Sequence, residues 1–299
     1  MQQAKKIVLL GKDGQLGFSL QRSLSAIGQL YAFNRQECDL SDQDQLRRVI
    51  QQVNPDVIVN AAAYTAVDKA ETESKLAFTV NAEAPGILAE LAKAQSAILV
   101  HFSTDYVFDG HQSSPYTEGD APSPINQYGA SKLAGEKAIE AVGGQYWTLR
   151  TSWVFSAYRQ NFLKTILHLI QTRSELQVID DQYGAPTSTD LLADITGYML
   201  MRNWLQNDQQ WGIYHLVSEG RVSWYGFAKF IFKTAQDFGL TMQLSEEKLI
   251  AIPASAYPLP AARPYNSCLN NNKIQQAFGL QLPAWQWHAQ HTLNQLLQK

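Results

Sequence analysis

Tyr128 and Lys132 stand four positions apart in Gln127-Tyr128-Gly129-Ala130-Ser131-Lys132, which has helical character from Ala130 onward, so both side chains share one helix face. A free phenol titrates at about 10, and a neighbouring ammonium favours the phenolate, so Lys132 is expected to bring Tyr128 toward neutrality. A tyrosine tuned in this way can donate or accept a proton. The pair alone is also what an ordinary surface helix with one half-buried ring would show. It gains weight from Ser103-Thr104-Asp105-Tyr106-Val107-Phe108, which follows the apolar run Ile98-Leu99-Val100. A hydroxyl at the carboxyl end of such a strand can hold a carbonyl oxygen while the tyrosine protonates the oxygen formed by hydride addition. Thr104 is the candidate for that hydroxyl and Ser103 the alternative.

A second constellation lies near the amino terminus. Ile7-Val8-Leu9-Leu10 is followed directly by Gly11-Lys12-Asp13-Gly14-Gln15-Leu16-Gly17 and then by a helical segment. Gly11 can take the tight turn off the strand, Gly14 lets the backbone approach a pyrophosphate, and Gly17 allows close helix packing. The helix N-terminus supplies free N–H groups and a favourable dipole, so a dinucleotide fits the loop. At the end of the second strand stand Asn34 and Arg35, where NAD-specific sites often carry an acid. The Arg35 guanidinium would welcome a 2′-phosphate, which favours NADPH while leaving NADH open. Asp39 and Leu40 could flank the adenine, with Asp39 accepting from its amino group.

These residues require a scaffold of alternating strands and helices. Strands are expected at Ile7 to Leu10, Leu30 to Asn34, Val57 to Asn60, Ile98 to Ser103 and Trp147 to Thr151. Leu16 to Ala26, Asp42 to Gln52 and Ala77 to Ala94 carry apolar residues at helical spacing between them. The pattern predicts an α/β Rossmann-type doubly wound parallel sheet over residues 1–150, joined by right-handed crossovers. From 151 to 299 the pattern loosens, with the aromatic-rich stretch Trp211 to Phe232 and a Pro-studded loop from Pro253 to Pro264. No flexible connector separates the two parts, so a smaller, interleaved C-terminal substrate-binding region is expected, with segments returning to the sheet.

The remaining composition excludes several classes. Lys+Arg number 24 against 27 Asp+Glu, and no basic run offers a footprint for nucleic acid. The two cysteines, Cys38 and Cys268, are far apart and belong to no metal-binding spacing, so both read as structural thiols. The opening apolar run is too short for a signal peptide core or a membrane span, which points to a cytoplasmic protein without a membrane partner.

Together the residues resemble the extended short-chain dehydrogenase/reductase superfamily, and within it the enzymes that reduce keto-sugar nucleotides. The likeness is carried by the glycine loop, by Asp56 to Val67 (DVIVNAAAYTAV), Ser103 to Phe108 (STDYVF), Tyr128 to Glu136 (YGASKLAGE), Arg150 to Val154 (RTSWV), Asp181 to Thr187 (DQYGAPT) and Arg263-Pro264. The resemblance implies reduction of the C4 ketone of dTDP-4-dehydro-L-rhamnose to dTDP-L-rhamnose, a step in the supply of rhamnose for polysaccharides. It makes Thr104, Tyr128 and Lys132 the catalytic triad, with Lys132 also on the nicotinamide ribose. It places Ala62, Ala63 and Tyr64 along the cofactor. Val67, Asp105, Tyr106 and Trp153 would contact the sugar or nucleotide, although Trp153 by itself reads as a core residue.

Some members of the superfamily branch are dimers bridged by magnesium through carboxylates, including ones on the last helix. Here that helix reads His291-Thr292-Leu293-Asn294-Gln295-Leu296-Leu297 without an acid, so no metal is assigned and the chain is expected as a monomer or homodimer. Two other readings compete. A dehydratase or epimerase on this scaffold would regenerate its NAD, but related dehydratases follow the threonine with an Asp-Glu pair, and here Asp105 precedes Tyr106. A non-catalytic binding subunit would have no need to keep Thr104, Tyr128 and Lys132 together.

Overall fold

The computed structural model describes residues 4–206 and 209–298. The expected strands form as β1 (Lys6–Leu10), β2 (Gln29–Phe33), β3 (Val57–Asn60), β4 (Ile98–Thr104) and β5 (Tyr146–Thr151). A sixth strand, Gly212–His215, lies inside the aromatic-rich stretch and was not expected. Four residues are too few to show a period of their own, so nothing in that segment distinguishes strand from loop.

All six strands are parallel, and they run in the order Gly212–His215, β5, β4, β3, β1, β2. Every residue of β3 and β4 is buried, because helices cover both faces and leave no polar side to the sheet. One core gathers Leu9, Val59, Val100, Trp147 and Leu149, and the opposite one Val8, Leu10, Ile58 and Leu99. The chain reverses its direction of travel between β1 and β3, so the loops leaving these two strands open a crevice at the carboxyl edge.

Helices α1 (Gln15–Ser25) and α2 (Gln43–Val53) fall near their expected positions. The helix expected from Ala77 to Ala94 is more complex. Its path starts at Ser74–Phe78, passes through a π-helical turn at Thr79–Glu83, and continues as Ala84–Ala94. Inside that wider turn the Asn81 amide accepts from Tyr64 N–H at 2.8 Å and donates to the Tyr64 carbonyl at 3.0 Å and Ser131 Oγ at 3.0 Å. The π-turn therefore ties the loop after β3 to the helix that carries Tyr128 and Lys132.

Beyond Thr151 a separate core forms around Phe155, Leu163, Ile166, Phe227, Ile231 and Trp285. It holds together the Phe162–Thr172 and Trp224–Asp237 helices and a short parallel pair, Leu176–Ile179 with Leu249–Ile252. Other late segments lie on the sheet body. The Thr189–Gln206 helix packs on α1, and Ile274 and Phe278 join the core under Trp147. The stretch from Pro253 to Pro264 is loop apart from a short 3-10 turn at Ala254–Ala256.

Candidate active site

A groove of about 1190 Å³ runs along the carboxyl edge of the sheet. Its first end is built on the loop after β1. Gly11 has φ of +88°, and a side chain there would meet Ala62 N at 2.9 Å, so the loops from β1 and β3 touch at the crevice. A Cβ at Gly17 would lie 2.0 Å from the Gly11 carbonyl, which is how α1 comes to start directly under the turn. Gly11, Asp13, Gly14, Gln15 and Leu16 line this end, with Asn34, Arg35, Asp39 and Leu40 beside them.

Charge at that end is balanced locally. Arg35 Nε donates to Asp39 Oδ2 at 3.0 Å, while Asp39 Oδ1 accepts from the backbone and hydroxyl of Ser41. The Ser41 and Arg35 bonds hold the Asp39 carboxyl below its usual range against the opposing effect of its partial burial. Lys12 pairs with Glu37, which also accepts from Asn34 N–H.

Ala62, Ala63, Tyr64 and Val67 line the middle of the groove, together with Thr104, Asp105, Tyr106, Tyr128, Lys132 and Trp153. The Gln127–Val142 helix reaches this position because two glycines let it press onto neighbouring backbone. A Cβ at Gly129 would stand 2.1 Å from the Tyr106 carbonyl and one at Gly135 2.1 Å from the Asn81 carbonyl. Asn126 caps the helix by accepting from Gly129 N–H at 2.7 Å.

Of the two hydroxyls left open by the sequence, that of Thr104 interacts with the Tyr128 phenol. It also donates to Asp105 Oδ1 at 3.0 Å and accepts from Tyr106 N–H at 3.2 Å. Ser103 Oγ is buried without a partner among the described residues, as is Thr151 Oγ1 at the end of β5. Both line the groove, so polar atoms there await a ligand's hydrogen bonds.

The electrostatics correct one expectation. Burial pushes the Tyr128 phenol up to about 12, with Thr104 opposing and Asp105 adding to the rise. Lys132 does not bring it toward neutrality. Burial brings the lysine itself down to about 8 against the pull of Glu136, and its Nζ points to the Phe102 carbonyl at 2.6 Å and to His101 Nε2 at 3.2 Å. Desolvation of the phenol outweighs a lysine whose amine is turned toward the sheet. Asp105 is likewise pushed up to about 6 by burial, and its Oδ2 has no partner among the described residues.

Trp153 is not core, contrary to what its type alone suggests. It is half-buried, has φ of +49°, and stacks on Trp224 with ring centroids 3.4 Å apart and planes 6° off parallel. Gly184 makes room for it, since a Cβ there would lie 2.5 Å from the indole. Trp224, Thr151 and Val80 also line the groove and were missed in the sequence. Trp224 starts a helix in the aromatic-rich stretch, where nothing separates a site tryptophan from a core one. Arg263 binds Asp68 through both carboxylate oxygens at 2.6 and 2.8 Å, fastening the Pro-rich loop across the segment after Val67.

A family model described as the RmlD substrate binding domain matches residues 5–298. The dTDP-4-dehydrorhamnose reductase of Escherichia coli (strain K12) is 45% identical over 294 residues, covering 97% of each chain. The chain belongs to the dTDP-4-dehydrorhamnose reductase family. The family's Burkholderia thailandensis enzyme is also 45% identical, over 94% of this chain and 96% of that one. Among solved structures, the dTDP-4-dehydrorhamnose reductase of Bacillus anthracis, in complex with NADP, superposes with a TM-score of 0.88. It is 34% identical, covering 98% of this chain and 99% of that one. Membership of the family makes the chain an extended short-chain oxidoreductase with a Rossmann-type sheet. Among the described residues no group of His, Cys, Asp and Glu could hold a metal ion, and no helix is long and apolar enough to cross a membrane.

Proposed function

We propose that this protein reduces the C4 ketone of dTDP-4-dehydro-L-rhamnose to dTDP-L-rhamnose, using NADPH or NADH. The observation that carries the reading is the meeting of Thr104, Tyr128 and Lys132 in the same groove as the glycine loop. The groove fits a dinucleotide: Gly11 and Gly14 leave the turn bare, α1 begins beneath it, and Ser103 and Thr151 supply unpaired hydroxyls. Gly11 to Leu16 would hold the pyrophosphate, Asn34, Arg35, Asp39 and Leu40 the adenosine end, and Ala62 to Tyr64 the length between. A reduced nicotinamide bound there supplies two reducing equivalents to the carbonyl carbon.

Thr104 fixes the carbonyl oxygen by hydrogen bonding. Tyr128 gives that oxygen its proton, and a phenol kept protonated by burial is in the right state to do so. Lys132 offsets the charge left on the phenolate from one helical turn away. Val67, Asp105, Tyr106 and Trp153 orient the sugar and nucleotide; residues 1–150 are the dinucleotide-binding domain, and residues 151–299 are mainly a substrate-binding region with segments returning to the sheet domain. The same reading makes the protein cytoplasmic and a monomer or homodimer, with no nucleic-acid partner.

The dehydratase alternative is disfavoured by Tyr106, a half-buried tyrosine whose phenol holds its proton more firmly than free tyrosine because of desolvation and the neighbouring Asp105. The test is nicotinamide absorbance followed with dTDP-4-dehydro-L-rhamnose and each cofactor in turn. Stoichiometric oxidation of the cofactor is expected. Product release without net consumption of added NADPH or NADH would replace the reductase by a cofactor-regenerating enzyme.

A further inference from the structure

Between the short strand Val154–Phe155 and the Phe162–Thr172 helix, residues 156–161 of the C-terminal half lie across the glycine turn. Arg159 Nε donates to the Asp13 carbonyl at 3.0 Å, Asn161 Nδ2 donates to Gln15 Oε1 at 2.9 Å, and Ser156 Oγ reaches the same Gln15 oxygen at 3.1 Å. Tyr158 stacks on Phe18 of α1 with ring centroids 4.1 Å apart and planes 13° off parallel, and the Arg159 guanidinium stands 5.3 Å from the Tyr158 ring centre. Asn161 has a second task in this position, since it also caps the following helix by accepting from Lys164 N–H. Arg159 is different. Its φ is +63°, a left-handed conformation that a residue with a long side chain rarely adopts, and being exposed it has no packing to hold it there.

The peptide between Asp13 and Gly14 is the part of the turn least held by packing, both residues being exposed. Its N–H is bonded inward to the Gly11 carbonyl at 3.0 Å, and its carbonyl is bonded outward to Arg159. Without the outer bond this peptide is free to rock, and the Asp13 carbonyl, the negative end of its dipole, can swing toward the place where a pyrophosphate would rest. We propose that Arg159 is a positioning residue for the dinucleotide, fixing the Asp13 peptide from outside the groove and placing a positive charge behind the turn that holds the pyrophosphate. Arg159 is not among the groove's lining residues, so it acts through Asp13 and through its charge, not by contact. A turn shaped before the ligand arrives takes no ordering cost from the binding energy, and the strained backbone of Arg159 is where that cost is held. The inference rests on the reading that seats a dinucleotide on the glycine turn.

The neighbouring cations are not equivalent to it. Lys12 of the turn is paired with Glu37, and Arg35 at the adenosine end with Asp39. Arg159 makes no ion pair among the described residues, so its charge is not neutralised within the chain. Its removal also leaves the crossing in place, because Ser156, Asn161 and the Tyr158 ring keep their own contacts with Gln15 and Phe18. The effect of Arg159 on the ligand can therefore be separated from the folding of the segment that carries it.

The test is calorimetry of NADPH and of NADH binding to the full chain, native and Arg159→Gly. Glycine takes a φ of +63° without strain, so the variant is expected to resist urea at least as well as the native protein. It is nonetheless expected to bind both dinucleotides about fivefold more weakly, and equally so, because the pyrophosphate is common to both. At saturating dinucleotide kcat is expected to stay within about twofold, with the loss confined to KM. Hydrogen exchange in the cofactor-free variant is expected to be faster across residues 11–15 and unchanged in the Tyr128 helix. Arg159→Lys, which keeps a charged donor, is expected to recover most of the affinity. Equal affinity in the native and Arg159→Gly proteins, or exchange in the turn that does not change, overturns the proposal. A native chain that binds neither dinucleotide defeats the seating of the cofactor and this inference with it, whereas native binding with an indifferent Arg159 defeats this inference alone.

Discussion

At the scale of single residues, the decisive contrast is between Tyr128 and Lys132. Burial moves them in opposite directions, because it penalises the phenolate of one and the ammonium of the other. Each is thereby pushed toward its neutral form, and a neutral phenol is a proton donor. Tyr128→Phe removes the donor while keeping the ring against Tyr106, whose centroid is 5.7 Å away. Turnover is expected to fall by roughly 100-fold or more, with dinucleotide affinity unchanged by calorimetry. An unaltered rate would favour a binding subunit over an enzyme. Arg35 supports a second prediction at this scale. Its pairing with Asp39 leaves it largely exposed, so the guanidinium can shift to a 2′-phosphate without desolvating a buried ion pair. Arg35→Ala is expected to weaken NADPH by about tenfold and NADH by much less, as measured by Kd for each.

At the scale of elements, glycines decide where the Tyr128 helix lies. Gly135→Ala places a methyl 2.1 Å from the Asn81 carbonyl, a backbone atom of the π-turn that cannot rotate aside. The helix must move outward, so a loss of about 2 kcal/mol in urea unfolding is expected, together with a fall in kcat. Gly143→Ala, with nothing within 4 Å of the added atom, is the control for clash; its φ of +69° leaves only the local backbone cost. This scale also shows what could be read in advance. β3 and β4 were legible because burial on both faces makes such strands uniformly apolar, as Val57-Ile58-Val59 is. The groove was legible because its residues sit at strand ends fixed by the βαβ order. The π-turn was not, since Ser74 to Ala94 keeps a helical period and one wider turn leaves no mark in it. Trp224 and the strand Gly212–His215 were hidden by the same aromatic stretch, where site, core and strand share a composition. Arg159 was hidden in a polar loop. Its significance comes from a carbonyl 146 positions away, which local pattern cannot supply.

For the molecule as a whole, the groove has an energetic cost that should be visible in stability. Asp105 is 4% exposed, and burial raises it to about 6 although Ser267 and Thr104 donate to it. In the unfolded chain the same carboxyl titrates near its ordinary value of 3.8. The folded pKa is the higher one, so the native state binds the proton more tightly. The associated stability is present in full below the unfolded pKa and is lost as pH rises from about 4 through 6. Two units at about 1.4 kcal/mol each give roughly 3 kcal/mol lost by neutral pH, before relaxation around the charge reduces it. Asp105→Asn removes the ionisation while keeping the size of the side chain. The difference in unfolding free energy between the variant and the native protein is therefore expected to be small near pH 4 and to grow in the variant's favour up to about pH 7. Activity is expected to move the opposite way, because a carboxylate that serves the sugar must be kept ionised in a place that resists it. A stability difference that stays flat across that range would mean that water or local opening already solvates Asp105, and that the groove exacts no such cost.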